Sequence, residues 1–167
     1  MKKIIKLSIV SVLFVIGVNC YQMNTSKAGI ALIKSFEGCK LIAYQDLVGT
    51  WTIGYGHTKD VHKGMKISQH QADVILEVDL QEFEGYVKKY VNVPLSQNQF
   101  DALVSWVYNL GPNNLQRSTM LLILNEGNYD DVPYELKRWN KAGGQVFVGL
   151  VRRRNAEAEL FENEPSN

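Results

Sequence analysis

The 167-residue chain has little cysteine, little proline and almost no net charge, and each shortage removes a class of protein. Two cysteines, Cys20 and Cys39, are too few for a disulfide-rich scaffold or an all-thiolate zinc site. The three histidines, His57, His62 and His70, have no familiar zinc spacing, so neither a metal nor another cofactor is expected. The formal net charge is +1, and Lys2, Lys3 and Lys6 supply three of the positive charges in an acid-free start. The remainder holds 15 basic against 17 acidic residues, which gives it no strong attraction for nucleic acid. Beyond Tyr21 there is no low-complexity tract, internal repeat or long Gly/Ser linker, so residues 23–167 read as one domain.

A membrane-length apolar run is also missing, but a shorter one is present. After MKKIIK comes LSIVSVLFVIGV, residues 7–18, interrupted only by small serines and a glycine. As helix it spans about 18 Å, against roughly 30 Å for a hydrocarbon core. Extended back to Ile4, with Lys6 snorkelling, it reaches about 22 Å. Those dimensions suit a secretory hydrophobic region better than a permanent span, and all-round apolarity after a lysine-rich start argues against a core helix. Residues 1–22 are therefore expected to export the chain, as signal peptide or signal anchor. An A-x-A cleavage site is absent, and Gly17 and Asn19 fit a lipoprotein site poorly.

The body shows a change of period. In TSKAGIALIKSFEG, Thr25 or Ser26 can cap a helix, Ile30, Leu32, Ile33 and Phe36 give it an apolar face, and Gly38 can stop it. The following KLIAYQDLVGTWTIGYGH is aromatic, β-branched and punctuated by glycines, which predicts a small antiparallel sheet with tight turns. From Ser68 onward the pattern is helical. SQHQ at 68–71 and SQNQ at 96–99 have capping-box form, Gly111-Pro112 marks a stop, and three further helices are expected around STMLLILNEGNY, DVPYELKRWN and GLVRRRNAEAELF. The fold class is α+β, a small β lobe and a mostly helical lobe with room for a polymer between them.

One segment concentrates chemistry. Glu37 closes the first helix beside Phe36, where apolar neighbours favour a carboxyl that keeps its proton to donate. Asp46 precedes the Gly49 turn, where water keeps it ionised, and Thr52 adds a hydroxyl able to hold a water. Two carboxyls in opposed environments are what glycosidic cleavage needs. Taken alone, they read more readily as surface charges. Arg152, Arg153 and Arg154 read as a solvated helix face with one internal salt bridge rather than a polyanion patch.

The spacing Glu37, eight residues, Asp46, five residues, Thr52 resembles the phage-type lysozymes, glycoside hydrolase family 24. The likeness extends to TIGYGHT at 52–58, VPLSQNQFDALVSWVYNLG at 93–111, Ser118-Thr119, and RWNKAGG…GLVRRRNAE at 138–157. It covers nearly everything from about residue 25 to residue 162. It implies a lysozyme-like fold and a muramidase that cleaves between N-acetylmuramic acid and N-acetylglucosamine in peptidoglycan glycan strands, without a metal, as a monomer. It makes Glu37 the general acid, Asp46 the partner carboxylate and Thr52 the residue that orients water. The reaction would invert configuration, which requires room for that water. Tyr108 and Asn109 fall on family positions facing the cleft, although packing explains such residues as well. His57 has a structural counterpart. The competing readings are a non-catalytic wall-binding protein of the same fold, and a lytic transglycosylase needing only the glutamate.

The front end resembles the signal-arrest-release endolysins, whose weakly hydrophobic N-terminus is first tethered in the host inner membrane and then freed into the periplasm. Ser8, Ser11 and Gly17 weaken the hold of such a helix on the bilayer. Relatives of that kind exchange cysteines between anchor and active site. Here the likeness implies at most a bond between Cys20 and Cys39 after release, since Asp46 is no cysteine and there is no third thiol.

Overall fold

A computed structural model describes residues 22–46 and 48–163. The expected anchor, and Cys20 with its pairing to Cys39, lie outside the described residues. Among those described, no helix is long and apolar enough to cross a membrane.

Helix α1 (Lys27–Glu37) starts as the sequence predicts. Ser26 is its N-cap, with Oγ accepting from the amides of Ala28 and Gly29. Ser26 is itself held by Asp101, which accepts from its amide at 3.0 Å and from its hydroxyl. Ile33 is fully buried, anchoring the helix to the core. The helix ends because Gly38 turns the chain at φ 65°, donating its N–H to the carbonyl of Lys34. Glu37 is thereby fixed as the last helical residue.

Strands β1 (Lys40–Gln45) and β2 (Trp51–Gly54) then pair antiparallel, with Tyr44 opposite Thr52, Gln45 opposite Trp51, and an irregularity between Lys40 and Tyr44. The chain returns along the other edge of β1, where Ala43 donates to the Met65 carbonyl and Ile67 to the Leu41 carbonyl. This is the small sheet expected from the aromatic and glycine pattern.

The helical lobe follows. Both capping boxes form, Ser68 with Gln71 at the start of α2 (Gln69–Tyr90) and Ser96 with Gln99 at the start of α3 (Gln97–Leu110). α2 packs on both β2 and α3 and so joins the lobes. α3 is the core helix: all eight residues from Phe100 to Val107 are buried, Asp101 and Ser105 included. A side chain such as Leu103 there contributes roughly 2 kcal/mol by leaving water. Around α3 lie α4 (Pro112–Arg117), α5 (Thr119–Asn125), a 3-10 turn at Tyr129–Asp131, α6 (Val132–Lys137) and α7 (Val148–Glu162), the last packing most extensively on α3 and α6.

Two elements depart from expectation. Gly111-Pro112 does end α3, but Pro112 is also the first residue of α4, where a missing N–H costs nothing and a fixed φ favours helix. Between α6 and α7 the chain makes a two-residue hairpin, β3 (Lys141–Ala142) with β4 (Gln145–Val146), turned by Gly143 and Gly144. Strands this short carry no period for a sequence reading to detect.

Candidate active site

Glu37 stands on the wall shared by two neighbouring cavities. One, of about 310 Å³, is lined by Glu37, His57, Asp79, Phe83, Tyr108 and Asn109 among others. The second, of about 580 Å³, is lined by Phe36, Glu37, Asn109, Phe147, Leu150 and Arg153 among others. α1 delivers Glu37, α3 delivers Tyr108 and Asn109, and α7 delivers Arg153.

The surroundings of Glu37 differ from the expected apolar pocket. Its Oε1 accepts from Arg153 at 2.5 Å, and the Phe36 ring lies beneath that guanidinium, 5.6 Å from ring centre to Cζ. Phe36 thus packs on the arginine that holds the carboxylate. The side chain of Glu37 remains about one-fifth exposed, whereas Arg153 is buried. Neighbouring Tyr108 donates its hydroxyl to the Tyr55 carbonyl at 2.8 Å and packs against Phe83. Burial pushes the Tyr108 phenol well above its ordinary value, and the nearby charge of Glu37 adds to this. It is therefore a neutral donor. Asn109 accepts from Arg154 at 3.1 Å.

Asp46 and Thr52 belong to the β1–β2 hairpin, and neither lines these two cavities. They are organised around each other through Thr50. Asp46 Oδ1 accepts from the amides of Val48 at 3.0 Å and Thr50 at 2.8 Å, an Asx turn closed with the help of Gly49 at φ 87°. The Thr52 hydroxyl, nearly buried, donates to the Thr50 carbonyl at 3.1 Å. From Thr52 the strand continues to Ile53, whose backbone pairs with that of His57 on the wall of the smaller cavity. His57 is paired with Asp79, Nδ1 lying 2.8 Å from Oδ2, and both line the smaller cavity. Cys39 is half-buried just beyond Gly38.

The arginine run is corrected by the structure. Arg152 faces solvent, but Arg153 is only 3% exposed and Arg154 fully buried, and both meet the buried Glu157. Sequence reasoning missed this cluster. Its signal was present: Glu157 follows the two arginines at helical offsets of four and three, on the face that carries Ala158 and Phe161.

The family model for phage lysozyme matches residues 34–157. The chain belongs to the phage lysozyme family. An endolysin of Bacillus phage B103 is 49% identical over 142 residues, 83% of this chain and 54% of that protein. The chain thus spans about half the length of that relative. A SAR-endolysin of Enterobacteria phage P21 is 35% identical over 125 residues, 74% of this chain and 76% of its own length. Among solved structures, the muramidase domain of SpmX from Asticaccaulis excentricus superposes with a TM-score of 0.81 at 39% identity, covering 85% of this chain and 99% of that one. The stretch matched as phage lysozyme begins just before Glu37 and ends at Glu157, so it takes in both the expected acid and the missed cluster. The lysozyme-like α+β fold is as expected.

Proposed function

We propose that the protein is an endolysin: a muramidase that hydrolyses the β-1,4 bond between N-acetylmuramic acid and N-acetylglucosamine in peptidoglycan and so lyses the host. The observation that carries this reading is the carboxylate of Glu37 at the junction of two cavities, which together could seat sugars on both sides of a scissile bond. Glu37 is the general acid. Arg153 engages Oε1, which leaves Oε2 to carry the proton that passes to the leaving oxygen. Asp46, with Oδ1 held by turn amides, is the ionised partner, and Thr52 on the adjacent strand steers the attacking water. Tyr108 and Asn109 contribute to the sugar-binding wall. Glycan strands are the partner, with no metal and no nucleic acid involved.

Membership of the phage lysozyme family and the muramidase and endolysin relatives support this reading over a non-catalytic wall binder. Two measurements test it. Glu37→Gln should abolish clearing of exposed cell walls while leaving the fold intact, and a fully active variant would reject the assignment. Muropeptides from the wild-type digest should carry reducing ends. Uniform 1,6-anhydro ends would make the enzyme a lytic transglycosylase.

The export reading rests on the composition of residues 1–22 and on the SAR-endolysin relative. In it, the segment tethers the monomeric enzyme to the host inner membrane, and release delivers residues 23–167 with it to the periplasm. Sampling the N-terminal residue and the location of the protein before and after membrane depolarisation decides the matter. An intact N-terminus moving to the soluble fraction supports release, and immediate cleavage near residue 20 supports an ordinary signal peptide.

A further inference from the structure

Behind Glu37 lies a concentration of buried charge that the reaction as described does not use. Glu157 is fully buried on α7. Its Oε1 accepts from the Ser105 hydroxyl at 2.8 Å, Arg153 Nε at 3.1 Å and Arg154 at 3.0 Å. Its Oε2 lies 2.8 Å from Arg154 Nε without the alignment of a hydrogen bond, so that contact is coulombic only. Arg153 spends all three nitrogens: Nε on Glu157, one terminal nitrogen on Glu37, the other on the Ser105 carbonyl at 3.1 Å. Arg154 reaches Asn109. One carboxylate therefore grips both arginines, and each arginine grips a residue of the cleft wall.

Stability alone is a weak reason for such an arrangement. Taking each ion out of water costs several kcal/mol, and a well-packed apolar replacement is often neutral or better. What an apolar replacement cannot do is hold Glu37 and Asn109 in a fixed relation. We propose that Glu157 is a positioning residue for the acid: it fixes Arg153 so that the guanidinium presents the Glu37 carboxyl to the cleft, and fixes Arg154 so that Asn109 stays beside it. This rests on the reading of Glu37 as general acid. Burial raises the Glu157 carboxyl above the usual range, and the two arginines oppose that. Arg154 is pulled down by burial to about 10, which still leaves it a cation at neutral pH.

The groups that face this system are few. Towards Glu157 they are Ser105 from α3 and Arg153 and Arg154 from its own helix. Towards Glu37 they are Arg152, Arg153 and Arg154 from α7, Tyr108 and Asn109 from α3, Asp79 and Glu82 from α2, and His57 and Lys59 from the segment after β2. Removing the charge of Glu157 leaves two arginines with one carboxylate. Arg153 then loses the partner of its Nε, and with it the fixed direction in which it presents the Glu37 carboxyl.

The test compares Glu157→Gln and Glu157→Asp with wild type as full chains in detergent, measuring kcat and KM on solubilised glycan strands and unfolding midpoints. For Glu157→Gln, assayed well below its midpoint, kcat should fall about tenfold or more with KM nearly unchanged, because misplacing a reacting group by an ångström can cost about a hundredfold. Glu157→Asp, shorter but still charged, should lose less kcat than Glu157→Gln, again with KM nearly unchanged. Wild-type kcat in folded Glu157→Gln, or a loss that falls on KM rather than on kcat, overturns the proposal. If Glu157→Gln does not fold, kcat of folded Glu157→Asp decides: a several-fold loss supports the role and a wild-type value ends it. A wild-type enzyme that releases no reducing ends would instead bring down the underlying reading of Glu37.

Discussion

The two carboxylates proposed to share the reaction are held in opposite ways. Asp46 is fixed by the amides of Val48 and Thr50, two and four residues along its own chain. Glu37 is fixed by a guanidinium 116 residues away, which in turn depends on the docking of α7 against α3. A local hold survives whatever loosens the helical lobe, because the turn carries its own geometry. A remote hold transmits every change in that lobe to the acid. The difference has chemical sense. A group that steadies water or positive charge needs only to stay ionised and in place, while a group that gives up a proton benefits from a partner whose contact responds to its state.

The largest break in this comparison is expected at Asp46. Asp46→Asn retains the oxygen that the two amides require and removes the charge, so its unfolding midpoint should stay near wild type while activity falls by roughly a hundredfold. Asp46→Ala should lose as much activity and also about 1 kcal/mol of stability, comparable with removal of a helix cap. Equal midpoints for the two variants would show that the turn does not depend on its side chain. Arg153→Lys comes next. One ammonium cannot replace three nitrogens directed at Glu157, Glu37 and Ser105, and the buried Glu157 is left under-paired. We expect about a tenfold loss of kcat together with roughly 3 kcal/mol of stability, read by steady-state kinetics and denaturant unfolding. Activity and stability thus separate at Asp46 and move together at Arg153.

The same contrast explains what the sequence discloses. Ser26, Ser68, Gln71, Ser96, Gln99 and Gly38 act on amides within a few residues, so helix ends could be read from spacing alone. The turn around Asp46 was legible for the same reason. The environment of Glu37 was not, because Phe36 and Gly38 are its neighbours in sequence but Arg153 is its neighbour in space. The arginine run looked solvated because three consecutive cations on a helix normally are. Only docking against α3 decides that Arg153 and Arg154 turn inward while Arg152 stays out. Residues 1–22 gave a strong compositional signal whose outcome lies beyond the described residues.

Gly49→Ala acts on the local hold without touching the carboxylate. The glycine sits at φ 87° with open space where a Cβ would go, so the cost is backbone strain rather than collision. About 1 kcal/mol is expected, or roughly 2–4 °C in the unfolding midpoint. Activity should fall only modestly as the amides shift beneath Asp46. A loss of activity as deep as that of Asp46→Asn would mean that the turn is less self-sufficient than its hydrogen bonds indicate.

The smallest effect comes from the exposed counterpart of the Glu37 contact, one turn earlier on α1. Lys34 binds Asp73 at 2.8 Å, and Tyr55 and Gln69 donate to the same oxygen. The Lys34 hydrogen bond is the main reason the Asp73 carboxyl lies below its ordinary value, while Asp73 holds Lys34 above its own. A carboxyl depressed in the folded state adds stability that is complete above its unfolded value, near 4, and is lost as the pH falls through the folded value. Both side chains remain about one-third exposed, so water and salt screen most of the attraction. Asp73→Asn should therefore lower the midpoint by only about 1–2 °C at pH 6, and the difference should close as the pH falls through the depressed value of the folded carboxyl. kcat should be unchanged, since Lys34 and Asp73 border neither cavity beside Glu37. A deficit that persists undiminished in acid would assign the contribution of Asp73 to packing. The ionic support of α1 would then lie at Asp101 beneath its N-cap and at Arg153 against Glu37, rather than at Lys34.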